Sequence, residues 1–140
     1  MSSRVEILSR QLVEHHDKIA SADCVFFATH SQGTPVSFLL FSQLISGGVI
    51  DAKAQRTGIL AMAGISHGPF PQLKGNLVLK YLEQDPAREL FDFCDSDSEQ
   101  SQQFLNAVKH VLTSGGRVVA CGSWFDQVVP VSLRFFSRIV

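Results

Sequence analysis

The sequence has little net charge and no long apolar run. Its 140 residues include 12 Lys and Arg against 13 Asp and Glu, a formal charge of −1, so it has no basic excess that would favour nucleic acid or an anionic membrane. The longest apolar runs, such as 38–41 and 59–65, are far shorter than the roughly 20 residues that cross a bilayer. We therefore expect no transmembrane segment and no nucleic-acid partner.

Cysteine is also scarce, and the N-terminus does not resemble a signal peptide. Charged residues are interleaved through 4–18, where a signal peptide would have its apolar core. The three cysteines, Cys24, Cys94 and Cys121, are odd in number and far apart, and two lie in apolar runs. We expect reduced, buried thiols rather than a disulfide or a metal site. These features predict a cytoplasmic protein with no metal and no cofactor.

What is present is the composition of one folded domain, 45% hydrophobic and 18% charged. Apolar periodicity and capping residues predict alternating helices and strands. In chain order, the first predicted elements are a helix over 3–21, a strand over 24–28, a helix over 33–45 and a strand over 58–65. Short helices near 75–84 and 86–93 follow, and then a helix begun by a Ser96-x-x-Glu99 capping box. The chain ends with a strand over 117–122, a loop over 123–130 and a last helix-like stretch. This is an α/β pattern, in which helices bury a parallel sheet on both faces and ligands bind at the strands' carboxyl ends.

The first predicted strand runs directly into Thr29-His30-Ser31-Gln32-Gly33, and a helix follows. A strand, a tight turn and a helix around a central serine are typical of a nucleophile elbow, in which the positions two before and two after the serine are small because the turn is crowded. Gly33 fits this pattern, whereas Thr29 is bulkier than the usual glycine. The turn predicts that the Ser31 hydroxyl is exposed at a helix N-terminus, where developing negative charge is favoured.

A single carboxylate, Asp126, follows the third predicted strand by a few residues. A serine hydroxyl needs a histidine base before it can attack an ester, and the histidine needs a carboxylate to orient it. The chain order of Ser31 and then Asp126 agrees with the Ser, Asp/Glu, His order of α/β-hydrolases. Asp126 is therefore the candidate catalytic acid.

Several segments together resemble an uncharacterised fungal family of lipase-like α/β-hydrolases. They are 27–36, which contains the serine turn, 60–66 with Gly68-Pro69-Phe70, 87–91, and the Asp126-Gln127-Val128-Val129-Pro130 loop. The resemblance covers nearly the whole chain. It implies hydrolysis of carboxylic esters through an acyl-enzyme, with Ser31 as nucleophile, the backbone N–H of Gln32 as one oxyanion donor and Asp126 as acid. The substrate would be a small-molecule or lipid ester.

The resemblance is to the second half of an α/β-hydrolase core. We expect residues 1–140 to form a partial domain with three strands, without the catalytic histidine that follows the acid in a complete domain. A helical segment over 69–94, rich in Leu, Phe and Tyr, is placed where hydrolases have a cap over the cleft. His30 adjoins Ser31 in a position that usually serves packing. His67 is the one histidine that the strand order places near the Ser31 edge, although a structural role in its loop is the simpler interpretation.

Two other interpretations stay open at this stage. The chain could be a non-catalytic interaction module, or a truncated gene product, on a hydrolase scaffold. It could also be a free-standing doubly wound domain of flavodoxin-like size. Against the second, the turn after the first strand has one glycine where a G-x-G-x-x-G phosphate loop needs three. The oligomeric state is not predicted.

Overall fold

The computed structural model describes residues 2–66, 68 and 85–129. Within these residues, three parallel strands form one sheet in the order β1-β2-β3. The strands are β1 (Cys24–His30), β2 (Arg56–Met62) and β3 (Arg117–Cys121). The helical elements are α1 (Ser2–Leu12), a 3₁₀ turn (Val13–His15), α2 (His16–Ala20), α3 (Gly33–Ser46), α4 (Asp85–Asp92) and α5 (Glu99–Thr113). In register, Phe26 lies opposite Gly58, and Gly58 lies opposite Arg117. The α/β fold class is therefore confirmed.

Helices α3 and α5 cover one face of the sheet. This face presents the odd-numbered side chains of β1, and Phe27 stacks on Phe41 of α3 with ring centroids 4.7 Å apart. Phe38 of α3 meets Phe104 of α5 edge to face at 5.4 Å. Offset and edge-to-face rings bury large apolar areas with favourable quadrupole geometry, so these contacts form the centre of the core. None of the helices in the described ranges is long and apolar enough to span a membrane.

The opposite face of the sheet is not covered by the described residues. Phe26 of β1 is 61% exposed and Val119 of β3 is 58% exposed, although an apolar strand of a parallel sheet is usually buried on both faces. Cys24, Cys94 and Cys121 are all exposed. The prediction of burial is wrong because Cys24 and Cys121 point from β1 and β3 toward this uncovered face.

The local boundaries differ from the sequence prediction in two helices. The helix expected over 3–21 is interrupted by the 3₁₀ turn. Neither that turn nor α2 contains a buried residue, so little packing stabilises one continuous α-helix through this stretch. Ser98, and not Ser96, caps α5, because its hydroxyl accepts from the Ser101 N–H and donates to the Asp92 carbonyl. The Ser96 capping box is therefore wrong.

The remaining predicted elements are close to those observed. The strand expected over 58–65 ends at Met62, because Ala63 has a positive φ of 44° that a strand cannot continue. The helix expected over 86–93 is α4. The segments 75–84 and 130–140, and most of the cap-like segment 69–94, lie outside the described residues.

Exposure of Cys24 and Cys121 predicts their labelling in the folded protein. Brief treatment with N-ethylmaleimide should modify both thiols in native buffer, because both are accessible to the reagent without unfolding. Peptide mass spectrometry measures the modification at each site, and the same reaction in urea gives full exposure as the reference. Labelling of both thiols only in urea would show that this face of the sheet is covered.

Candidate active site

A strained turn joins β1 to α3 at Ser31. Ser31 has φ of +51°, in the left-handed region that non-glycine residues rarely adopt. Its N–H donates to the Met62 carbonyl at 3.0 Å, and its own carbonyl accepts from Thr34 at 3.1 Å and from Ile65 at 3.4 Å. These three backbone bonds tie the turn to the end of β2 and to the first turn of α3. The Ser31 hydroxyl itself makes no hydrogen bond to a described residue.

Two threonines support this turn from inside the protein. The hydroxyl of Thr29 donates to the Leu60 carbonyl at 3.1 Å and lies 3.1 Å from the hydroxyl of Thr34. Since Thr29 has one hydroxyl proton, Thr34 is the donor between the two threonines. Thr34 is fully buried and Thr29 nearly so. Thr29, which stands where a nucleophile elbow usually has glycine, is thus accommodated by hydrogen bonds that join β1, β2 and α3.

The chain leaving β2 packs closely against the same helix. A Cβ atom on Gly64 would lie 2.8 Å from Cγ2 of Thr34, closer than real Cβ contacts occur. Ala63 before it has a positive φ, and its N–H donates to the Cys121 carbonyl at 2.7 Å. By contrast, a Cβ on Gly33 would meet no atom within 4 Å. The crowding that an elbow needs is therefore at Gly64, not at Gly33.

Asp126 lies in the loop after β3 and closes a short turn of its own. One oxygen of its carboxylate accepts from the N–H of Val128 at 2.8 Å and of Val129 at 3.0 Å. The bonds from Val129 and Val128, with a smaller contribution from the nearby His30, hold the pKa of Asp126 below its ordinary 3.8, although partial burial acts in the opposite direction. The carboxylate is therefore ionised at neutral pH.

His30 links the two candidate residues only loosely. It precedes Ser31 and contributes to lowering the pKa of Asp126, but the described residues include no histidine that is hydrogen-bonded to Ser31 or Asp126. His110 is used elsewhere, because its Nδ1 lies 2.8 Å from the Ser42 hydroxyl between α5 and α3. His67 lies outside the described residues. Ser31, Gln32, His30 and Asp126 thus lie at or beyond the carboxyl ends of β1 and β3, and the described residues do not complete a triad.

Two depressions on the described part of the molecule are relevant to the site. The larger, about 640 Å³, is lined by Phe26 and Val119 of the uncovered sheet face and by Arg56 and Arg117, which begin β2 and β3. It therefore lies on the amino-terminal part of that face, away from Ser31. A smaller one of about 330 Å³ includes Gln32 and Gly33 at the carboxyl edge, where ligands of parallel sheets bind. No cluster of metal-ligating side chains occurs within the described ranges.

The sequence does not predict the roles of Thr34 and Gly64. Thr34 lies in the helix predicted over 33–45 and Gly64 in the strand predicted over 58–65, and both lie in segments that resemble the hydrolase family. Their roles depend on the pairing of Ala28 with Leu60, which local spacing does not reveal. The available signal was the presence of two threonines five positions apart on either side of a serine turn, since a buried threonine hydroxyl needs a partner.

Within the described residues, three parallel strands in one sheet with flanking helices are consistent with part of an α/β-hydrolase core. The chain belongs to the YMC0/YMC35 alpha/beta hydrolase domain family, whose model matches residues 1–140. Neither the curated proteins nor the solved structures contain a significant match to the sequence. The resemblance to α/β-hydrolases is therefore confirmed at the level of the superfamily, and the family supports hydrolase chemistry in general.

Two glycines test the packing around the serine turn. Gly64→Ala should lower the free energy of unfolding by about 1–3 kcal/mol, because the new methyl group overlaps Thr34. Gly33→Ala is the matched control, since its methyl group meets no atom and alanine is favoured in a helix by up to about 1 kcal/mol. Urea unfolding of both variants measures the difference. Equal stabilities would contradict the close approach at Gly64.

The Asp126 turn should make stability depend on pH in the acid range. Asp126→Asn should destabilise the protein by about 1 kcal/mol or less at pH 7, because a neutral acceptor makes weaker bonds to Val128 and Val129 than a carboxylate does. The depressed pKa means that the stabilisation is present above pH 3.8 and is lost as pH falls through the folded-state pKa. Thermal unfolding of both proteins from pH 7 to pH 2 should show the difference disappearing at the acid end. A difference that persists there would rule out the charge as its cause.

Proposed function

We propose that the protein is a serine hydrolase of carboxylic esters, in which Ser31 is the nucleophile. The observation that carries the proposal is the turn at Ser31, where a positive φ lies between the carboxyl end of a parallel strand and the N-terminus of a helix. A serine at such a turn stands clear of its neighbours. Its hydroxyl is also free of hydrogen bonds to described residues, so it is available for proton transfer.

The N-terminus of α3 supports a role for Gln32 in binding the oxyanion. Gln32 precedes the helix, no side chain caps this end, and its backbone N–H donates to no described residue. Unsatisfied N–H groups at a helix N-terminus favour negative charge. As the ester carbonyl becomes tetrahedral, this N–H would donate to the oxygen that acquires the charge.

Asp126 is proposed as the acid that orients the catalytic base. Its carboxylate stays ionised because backbone N–H groups hydrogen-bond one of its oxygens. An ionised carboxylate fixes the tautomer of a histidine and stabilises the imidazolium that forms when the serine loses its proton. The histidine would take the proton from Ser31, return it to the leaving alcohol, and then activate the water that hydrolyses the acyl-enzyme.

The absence of a hydrogen-bonded base among the described residues sets the expected activity. Loss of the base in such enzymes reduces kcat by about 10⁴ to 10⁶. The 140-residue chain should therefore hydrolyse a short-chain p-nitrophenyl ester at close to the background rate, with little change in Ser31→Ala. A fluorophosphonate should label it slowly, and added imidazole should raise the labelling rate by accepting the serine proton.

Intact-protein and peptide mass spectrometry locate the label. Labelling should be lost in Ser31→Ala and retained in Ser123→Ala, a matched control in which an exposed serine follows β3 at the same edge of the sheet. Imidazole-stimulated labelling that survives Ser31→Ala would contradict the assignment of the nucleophile. Rapid ester turnover that Ser31→Ala abolishes would instead identify a base within the chain, and His67→Ala would be the next variant.

A non-catalytic interaction module is the second candidate. It is favoured by the uncovered sheet face, on which Phe26 and Val119 are more than half exposed, because contiguous exposed apolar surface commonly marks an interface. The same face carries Cys24 and Cys121. Protection of these thiols from maleimide when a partner is added, together with no labelling of Ser31, would favour this alternative.

A further inference from the structure

A shallow apolar depression adjoins the serine turn. It has a volume of about 330 Å³ and lies between α1 and the start of α3. Its surface is formed by Arg4, Ile7, Leu8, Gln32, Gly33 and Val36. Gln32 and Gly33 follow Ser31 directly, so the depression begins at the residue whose N–H is the proposed oxyanion donor.

The single charged residue of this depression lies near a carboxylate. The guanidinium of Arg4 is 3.8 Å from the carboxylate of Glu89 in α4, and both side chains are about one-third exposed. The nearby negative charge lowers the positive potential that an anionic ligand would meet at Arg4. The other side chains, those of Ile7, Leu8 and Val36, are aliphatic. The surface therefore suits an uncharged hydrocarbon chain rather than a carboxylate or phosphate.

Gly33 lines the depression directly after the serine turn. A Cβ at this position would meet no atom within 4 Å, so the surface here is open. A chain extending from an ester carbonyl at Ser31 could pass over Gly33 without a steric barrier.

We propose that this depression binds the acyl chain of the ester substrate, which makes Ile7, Leu8 and Val36 specificity-determining residues. The inference rests on the proposed function, because it takes Ser31 as the point of attack. Because the depression is shallow and open to solvent, it contacts the part of the chain nearest the carbonyl and sets no upper limit on chain length. Acyl chains long enough to reach these residues are therefore preferred over acetyl.

Methyl NMR tests the site without requiring catalysis. The protein, labelled at Ile, Leu and Val methyl groups, is titrated with 2-octanone, which has the carbonyl and chain of an ester but no bond to hydrolyse. The methyl signals of Ile7, Leu8 and Val36 should shift. Affinity should rise by about two- to fourfold for each added carbon from 2-butanone to 2-octanone.

Two tryptophan variants provide a matched comparison. Ile7 and Val13 are both β-branched residues on the N-terminal helical segment, 55% and 61% exposed, so neither substitution disturbs the core. Ile7→Trp should fill the depression and weaken binding of 2-octanone at least tenfold, whereas Val13→Trp should leave it unchanged. Equal binding by the two variants would overturn the proposal. So would 2-octanone shifts confined to Val119 on the uncovered sheet face.

The outcomes separate this inference from the proposed function. Shifts at Ile7, Leu8 and Val36 without fluorophosphonate labelling of Ser31 would retain the hydrocarbon site and refute the nucleophile. Labelling of Ser31 without those shifts would retain the nucleophile and refute the acyl site. In the supported case, an octyl-substituted fluorophosphonate should label Ser31 several times faster than an ethyl-substituted one, and Ile7→Trp should abolish that difference.

Discussion

The hydrogen bond between the hydroxyls of Thr29 and Thr34 is the interaction on which the serine turn depends. It connects Thr29, near the end of β1, to the first turn of α3. Thr29 also donates to the Leu60 carbonyl of β2. A buried hydroxyl without a partner costs about 1–3 kcal/mol, so Thr34 depends on Thr29 as its acceptor, whereas Thr29 also has its bond to Leu60. Thr57 shows the contrast, since its buried hydroxyl has no partner among the described residues.

This pair also explains why strain is concentrated at one edge of the sheet. Ser31 and Ala63 are the described non-glycine residues with positive φ, and they follow neighbouring strands. Each unfavourable backbone conformation costs on the order of 1–3 kcal/mol, which the surrounding bonds must offset. The Ser31 N–H bond to Met62, the Ala63 N–H bond to Cys121 and the threonine pair supply those bonds. The amino ends of the strands, where Cys24 and Arg56 begin, carry no such strain.

The parts of the fold that follow local rules were predictable from sequence, and the parts that depend on distant packing were not. The alternation of strands and helices, the turn at Ser31 and the loop carrying Asp126 each arise from a few adjacent residues. Whether a strand is covered on both faces depends on other elements, and so the expected burial of Cys24 and Cys121 was wrong. The capping serine of α5 was misplaced for a similar reason, because the hydroxyl of Ser98 is selected by its bond to Asp92.

The arrangement at Ser31 separates the interactions that hold the turn from the group proposed to react. Every hydrogen bond that fixes this residue uses its backbone N–H or carbonyl, and the support beneath it comes from Thr29 and Thr34. The side-chain hydroxyl contributes to none of them, and alanine would meet the same backbone strain at a φ of +51°. Removal of the hydroxyl therefore leaves the architecture of the turn intact. For this reason, a loss of labelling in Ser31→Ala would report on chemistry rather than on folding, and the geometry of the turn would persist whether or not a base is supplied.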